Sequence, residues 1–262
     1  MSISRKDILV ALLNFSLGIA GLLLVCSGAL AARPGSVSSD LDPVCILALG
    51  GKDGAMQNVT QCDESQISAK RISSTSISFV YRDEEGSERP ARFDYQYAGR
   101  LDGRDVLLIS LSDEKLGTET HLVAIEREGK FIKLAHTYAA GFGCRGGISN
   151  AVVSNGVLSF DRDMTPSSLI ALTNIALKVP TPVHLDNSDN SCAAKEHFSG
   201  EKLTQVTLSE AYLAGASLEG HTDQSWFNII YKLRVSEGRL VLNLEDVLRF
   251  GQTFYAGLTT TN

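Results

Sequence analysis

Residues 131–178 read FIKLAHTYAAGFGCRGGISNAVVSNGVLSFDRDMTPSSLIALTNIALK, and four local signatures follow one another along them. Residues 131–138 alternate as a strand, and Gly141-Phe-Gly143-Cys144-Arg145-Gly146-Gly147 is a glycine-dense loop around a cysteine. Asn155-Gly156 then stands between two β-branched runs, the strongest short hairpin signal a sequence carries. Thr165 is a good N-cap and Pro166 suits the first helical position, while Leu169, Leu172, Thr173 and Ala176 keep helical spacing. Ile170, Ile175 and Leu177 make this helix apolar nearly all round, which predicts that it is packed into the protein. Lys178 suits its C-terminal dipole, and Pro180 and Pro182 stop it.

Upstream of this block the period is two. Residues 76–81, 91–98, 105–111 and 118–126 read as strands leading into 131–138, with Phe93, Tyr95 and Tyr97 on one face of the second. Asp83-Glu-Glu-Gly86, Asp102-Gly103, residues 112–117 and Glu128-Gly129 have turn compositions. Links this short join antiparallel neighbours, so the sheet is a meander. Further back, Val44 to Leu49 is a short apolar run read as a first strand ended by Gly50-Gly51. Asp63 with Gln66 resembles a capping box for a short helix through Ile72.

Residues 1–31 stand outside the fold. Arg5 and Lys6 precede an apolar run of 18 residues from Ile8 to Val25, and Ala29-Leu30-Ala31 offers a small-residue cleavage site, the pattern of an export signal. The run is also near the length that spans a bilayer, so cleavage and an uncleaved N-terminal anchor are the two readings. Cys26 follows Val25, a branched residue that is poor where a lipoprotein signal needs a small one. Because the basic residues come first, both readings place the rest of the chain outside the cytoplasm, in the periplasm or at the cell exterior. Residues 32–42 are a polar lead-in, and residues 43–262 form a β-rich exported domain with two candidate halves, 43–180 and 190–262.

The whole chain carries −6; the leader holds Arg5, Lys6 and Asp7, a net +1, so the remainder carries −7. A mildly acidic surface without basic blocks argues against nucleic acid or anionic lipid as a partner. It leaves a protein or an envelope component, with membrane contact only through the N-terminal segment if that is uncleaved. Beyond Cys26 the four cysteines are Cys45, Cys62, Cys144 and Cys192, an even set that in an exported chain implies two disulfides. Of the three pairings, nearest neighbours give Cys45–Cys62 and Cys144–Cys192. The rival role for Cys144 is a nucleophile beside a histidine.

Gly141-x-Gly143-x-x-Gly146 matches a dinucleotide pattern, and Asp161 lies 20 residues after Gly141. That pattern needs a helix opening at the loop, whereas residues 148–153 and 157–160 read as a hairpin, so no cofactor is expected. Gly143, Arg145, Gly146 and Gly147 remain a candidate anion-binding loop, against the plainer role of glycines that let the chain turn around a bridged cysteine. His184, Asp186, Asp189 and His197 are metal-ligand types in one polar stretch, but Ser191 and His197 stand where a calcium loop needs glycine and glutamate, and no zinc spacing fits. No metal is expected there.

The C-terminal part predicts a strand at 202–208, a helical turn from Ser209 to Gly215, a hairpin of strands 227–235 and 239–244 over Glu237-Gly238, and a last short helix through Phe250 capped by Asn243. Residues 153–160 and 235–242 share the form V-S-x-G-x-L-x-[FL], 82 residues apart, which fits duplication and chance equally well. No nucleophile elbow, H-E-x-x-H, P-loop or S-x-x-K motif is present. The expectation is therefore a β-rich α+β protein, mostly antiparallel and meander-, sandwich- or barrel-like, with one buried helix and a few short ones. Its leading function is non-catalytic binding of inhibitor, immunity or envelope-interaction type. The alternatives are a secreted hydrolase with a site near Cys144, His136 and the 184–197 loop, and a purely structural envelope protein.

Overall fold

The computed structural model describes residues 41–62, 68–83, 85–177, 184–188, 191–215 and 222–260. The leader, and with it both readings of residues 1–31, lies outside them. No helix among the described residues is long and apolar enough to cross a membrane. The protein is β-rich α+β, with a seven-stranded and a five-stranded antiparallel sheet. Its contacts cluster into two compact units: residues up to Leu116 with His121–Tyr138, and Gly117–Thr120 with the residues from Ala139 onward. A boundary near 180–190 would cut the second unit.

The first unit contains the expected meander, extended at each end by a short strand that the sequence reading did not predict. Its strands β1 (Met56–Asn58), β2 (Lys70–Ser73), β3 (Ser76–Arg82), β4 (Glu88–Leu101), β5 (Arg104–Asp113), β6 (Gly117–Glu128) and β7 (Phe131–Phe142) stand in the order β1-β7-β6-β5-β4-β3-β2. Asp102 and Gly103 both take positive φ, 50° and 80°, so the β4–β5 link is a tight turn whose twist matches the strands it joins. At the β3–β4 turn the Asp83 carboxylate accepts from the amides of Glu85 and Ser87 and from Arg89 Nε at 2.9 Å. The Arg89 hydrogen bond holds it below the ordinary carboxylate range. The core takes Ile77, Phe79 and Tyr81 from β3, Phe93 and Tyr95 from β4, and Ile132 and Leu134 from β7, the alternate residues that period two requires.

Two expectations fail here. Residues 44–49 are not a strand: helix α1 (Pro43–Ala48) starts where the Asp42 carboxylate accepts from the Val44 amide at 2.8 Å with Pro43 at the first position. A short buried apolar run has no period that separates helix from strand. Residues 70–73 are strand β2 paired with β3, not the end of a helix, and the capping box at 63–66 lies outside the described residues. A disulfide joins Cys45 of α1 to Cys62, just past the 3₁₀ turn Val59–Gln61.

The second unit has strands β8 (Ile148–Ser154), β9 (Val157–Met164), β10 (Ala194–Ser199), β11 (Lys202–Leu208) and β12 (Val241–Leu242), in the order β12-β11-β10-β9-β8. Asn155 and Gly156 turn between β8 and β9 with φ of 52° and 72°, as the hairpin signal predicted. Helices α2 (Pro166–Leu177), α3 (Glu210–Gly215), α4 (Thr222–Ser236) and α5 (Leu244–Thr260) complete it. Thr165 Oγ accepts from the Ser168 amide at 3.1 Å, confirming the cap, and Leu169 and Ile170 are wholly buried. The core joins them to Val206 and Leu208 of β11, Phe227, Ile230 and Tyr231 of α4, and Phe250 and Phe254 of α5.

Three corrections concern this unit. Residues 227–235 are not a strand but lie within α4; the buried residues Phe227, Ile230 and Tyr231 fit one helical face, and burial overrides the strand preference of aromatic and β-branched side chains. The second copy of the V-S-x-G pattern accordingly runs from the last turn of α4 into β12, not over a hairpin. Finally, the last helix does not stop at Phe250. Asn243 Oδ1 does cap it, accepting from the Asp246 amide at 2.9 Å, but Gly251 and Gly257 lie inside it because neighbouring elements come too close for a side chain.

A Cβ on Gly251 would lie 2.4 Å from Thr173 Oγ of α2, and one on Gly257 would lie 2.0 Å from the Trp226 indole of α4. Alanine normally stabilises a helix interior by about 1 kcal/mol over glycine. Overpacking a filled core costs about 1–3 kcal/mol, and Thr173 is fully buried with its hydroxyl bonded to the Ile170 carbonyl, so it cannot give way. Gly251→Ala should therefore lower the urea midpoint instead of raising it.

Candidate functional site

The glycine loop between β7 and β8 was the first candidate. Its amides are engaged: Gly143 N–H donates to the Thr118 carbonyl, Arg145 to Phe142, Gly146 to Asp163 and Gly147 to Gly143, all at 2.9–3.0 Å. The donors that an anion would need thus hold the loop to its own backbone. The loop continues into strand β8 rather than a helix, so the dinucleotide context is missing. Cys144 is buried and bonded to Cys192, so its sulfur is not a thiol nucleophile. His136 stands exposed on β7 with its ring edge against Tyr138 at 4.8 Å.

The 184–197 stretch is not one loop. Its early part closes over the start of α2: the Ser167 amide donates to the Asp186 carbonyl, and Thr165 Oγ to Asn187 Oδ1 at 2.9 Å. Burial opposes ionisation of Asp186, but hydrogen bonds from Ser191 and Ser188 outweigh it and hold the carboxyl below its ordinary range. His184 is exposed, and Asp189 lies outside the described residues. Among the described residues no group of three or more His, Cys, Asp or Glu side chains is placed to hold a metal ion. The end of the stretch is β10, a strand the sequence does not announce because Lys195, Glu196 and His197 at its centre are polar.

That strand builds the most organised polar cluster of the second unit. In the sheet register His197 faces Asp161 of β9 on one side and Gln205 of β11 on the other, while Lys195 faces Asp163 and Thr207. Period two puts these side chains on one face, opposite Ala194 and Glu196. Asp161 Oδ1 lies 2.7 Å from His197 Nδ1, and His197 Nε2 lies 2.8 Å from Thr207 Oγ. Asn150 Nδ2 donates to the second Asp161 oxygen at 2.7 Å. Beside this line, Lys195 Nζ reaches Ser149 Oγ at 3.1 Å and the Asp163 carboxylate at 3.3 Å. Burial raises the Asp163 carboxyl above its ordinary value, and the Lys195 charge only partly offsets it.

On the other face Arg162 Nε meets the buried Glu196 carboxylate at 2.5 Å and lies over the Phe198 ring, 5.0 Å from its centroid. Phe198 in turn stacks on Phe160. The sequence presents Asp161 and His197 only separately, one at the spacing of a dinucleotide acid and the other as a metal-ligand type, and gives no signal at Thr207. The alternation Ser159, Asp161, Asp163 would have shown one polar face, had the partner strand been recognised.

The first unit carries a different surface. Met56 and Phe131 lie on the face of the β1–β7 pair opposite the buried Ile132, with Val59 following β1, and the three are 50%, 43% and 43% exposed. They stand at the sheet edge, because β1 is the outermost strand. Two disulfides within these units fit an oxidising environment. The chain matches no protein-family model, no curated protein and no solved structure.

Proposed function

We propose that the protein is exported to the periplasm or the cell exterior and acts there by binding a protein of the envelope. The observation that carries this reading is the exposed apolar edge of Met56, Val59 and Phe131. Apolar side chains grouped at a sheet edge are where a soluble surface gains most from a partner, since burying them removes apolar area from water and an edge strand adds unpaired backbone groups. The export pattern of residues 1–31 and the two disulfides support the compartment.

The test is site-specific photo-crosslinking in the native host. A photoreactive phenylalanine at position 131 should give one discrete higher-mass adduct in the extracytoplasmic fraction, and the same group at Lys202 of the second unit should not. Met56→Lys with Val59→Lys should abolish the adduct while the protein stays folded and exported. The absence of any adduct at 131, or one that survives the double substitution, would overturn the reading in favour of a purely structural envelope component.

A further inference from the structure

The line Asn150, Asp161, His197, Thr207 has a chemical direction as well as a geometry. An ionised carboxylate only accepts hydrogen bonds, so the His197 Nδ1 facing Asp161 Oδ1 at 2.7 Å carries the ring proton. In the neutral imidazole Nε2 is then an acceptor, and the Thr207 hydroxyl 2.8 Å away donates to it. A hydroxyl within reach of a base, with that base oriented by a third group, is the arrangement that activates an otherwise weak oxygen nucleophile. The three side chains come from three strands, β9, β10 and β11, so no single local turn accounts for the alignment.

The backbone beside it is distorted. The pairing of β8 with β9 shifts register between Ser149 and Val152, and within that bulge Asn150 takes φ of 54°. Few residues other than glycine, asparagine among them, take this conformation, and bulges serve to re-aim a side chain. Here the re-aimed side chain is the Asn150 amide, which fixes the carboxylate oxygen that His197 leaves free.

We propose that Thr207 is a nucleophile toward carboxylic esters, with His197 as its general base and Asp161 and Asn150 as the residues that position the imidazole. This goes beyond the binding reading and does not rest on it. Thr207 Oγ forms a bond to the ester carbonyl carbon as its proton passes to His197 Nε2. The intermediate then collapses, the bond to the leaving alkoxide breaks, and that oxygen takes the proton back from Nε2. Water repeats the sequence on the acylated threonine, releasing a carboxylic acid and restoring the hydroxyl.

The probe is an alkyl fluorophosphonate on the purified exported protein, read by intact mass and peptide mapping. Its phosphorus bonds to Oγ and fluoride leaves. The expected result is one adduct on Thr207, retained in T207S and absent in T207V. Its rate at about pH 8, where imidazole is neutral, should fall by roughly 10²-fold in H197Q, the lower end of what a positioned base contributes. D161N should slow labelling in a folded protein, and D161E should restore part of the rate, because it returns an acceptor-only carboxylate to His197 Nδ1. A purely structural Asp161 would tolerate the isosteric amide. No adduct on Thr207 in either the wild type or T207S overturns the proposal, as does a rate indifferent to H197Q in a folded variant. If H197Q does not fold, the wild-type rate across about pH 5–8 decides: a rise with pH supports the base, and a flat profile overturns it.

Discussion

Gly141→Ala should destabilise the second unit by about 3 kcal/mol or more, at the upper end of overpacking costs. An alanine Cβ at this position would sit 1.8 Å from the Gly146 carbonyl oxygen and 2.1 Å from its carbon. Those are backbone atoms, and the Gly146 residue they belong to is itself tied down, its amide donating to the Asp163 carbonyl at 2.9 Å. Nothing can rotate aside, so the loop must open and give up its backbone bonds, each worth about 1 kcal/mol. Gly147→Ala meets the same obstacle at 2.3 Å from the Gly143 oxygen. Equilibrium denaturation followed by Trp226, the single tryptophan, checks both; an unchanged midpoint would mean the loop is looser than its close contacts imply.

Removing the Cys144–Cys192 bridge, as C144S with C192S, should cost about 4 kcal/mol. A cross-link between cysteines 48 positions apart restricts the unfolded chain by roughly that amount in the loop-entropy model. The Cys45–Cys62 link, over 17 residues, gives about 3 kcal/mol by the same relation. Denaturation of the double-serine proteins, with the first unit monitored separately by limited proteolysis, measures each. Equal losses in both units from the C144S/C192S change would contradict a bridge confined to the second.

The strands from 76 to 142 and the hairpin and helix after them were legible because they are bounded by residues with one conformational preference. Asp102-Gly103 and Asn155-Gly156 can form tight turns that few other pairs form, and Phe93 and Tyr95 can share a face only in a strand. Thr165-Pro166 was equally informative, since hydroxyl and ring both act within one turn. Where preference and burial disagreed, burial won: Phe227, Ile230 and Tyr231 favour strands in isolation but lie on the buried face of α4. The 194–199 strand failed to register because Lys195, Glu196 and His197 look like loop residues until β9 and β11 supply their hydrogen-bond partners. The Asp161, His197 and Thr207 line was invisible for the same reason. It depends on which strands are neighbours, which sequence distance does not encode.

Both disulfides join cysteines that are consecutive along the chain, and neither encloses the other. For a polypeptide threaded through an export channel from its N-terminus, this connectivity has a biosynthetic meaning. Beyond the leader and its Cys26, Cys62 emerges with only Cys45 ahead of it, and that pair can be oxidised before Cys144 is exposed to any oxidant. The second pair then meets an environment with no competing thiol from the first. For a chain delivered in that order, first-come oxidation would yield the native pattern without an isomerase to reshuffle it.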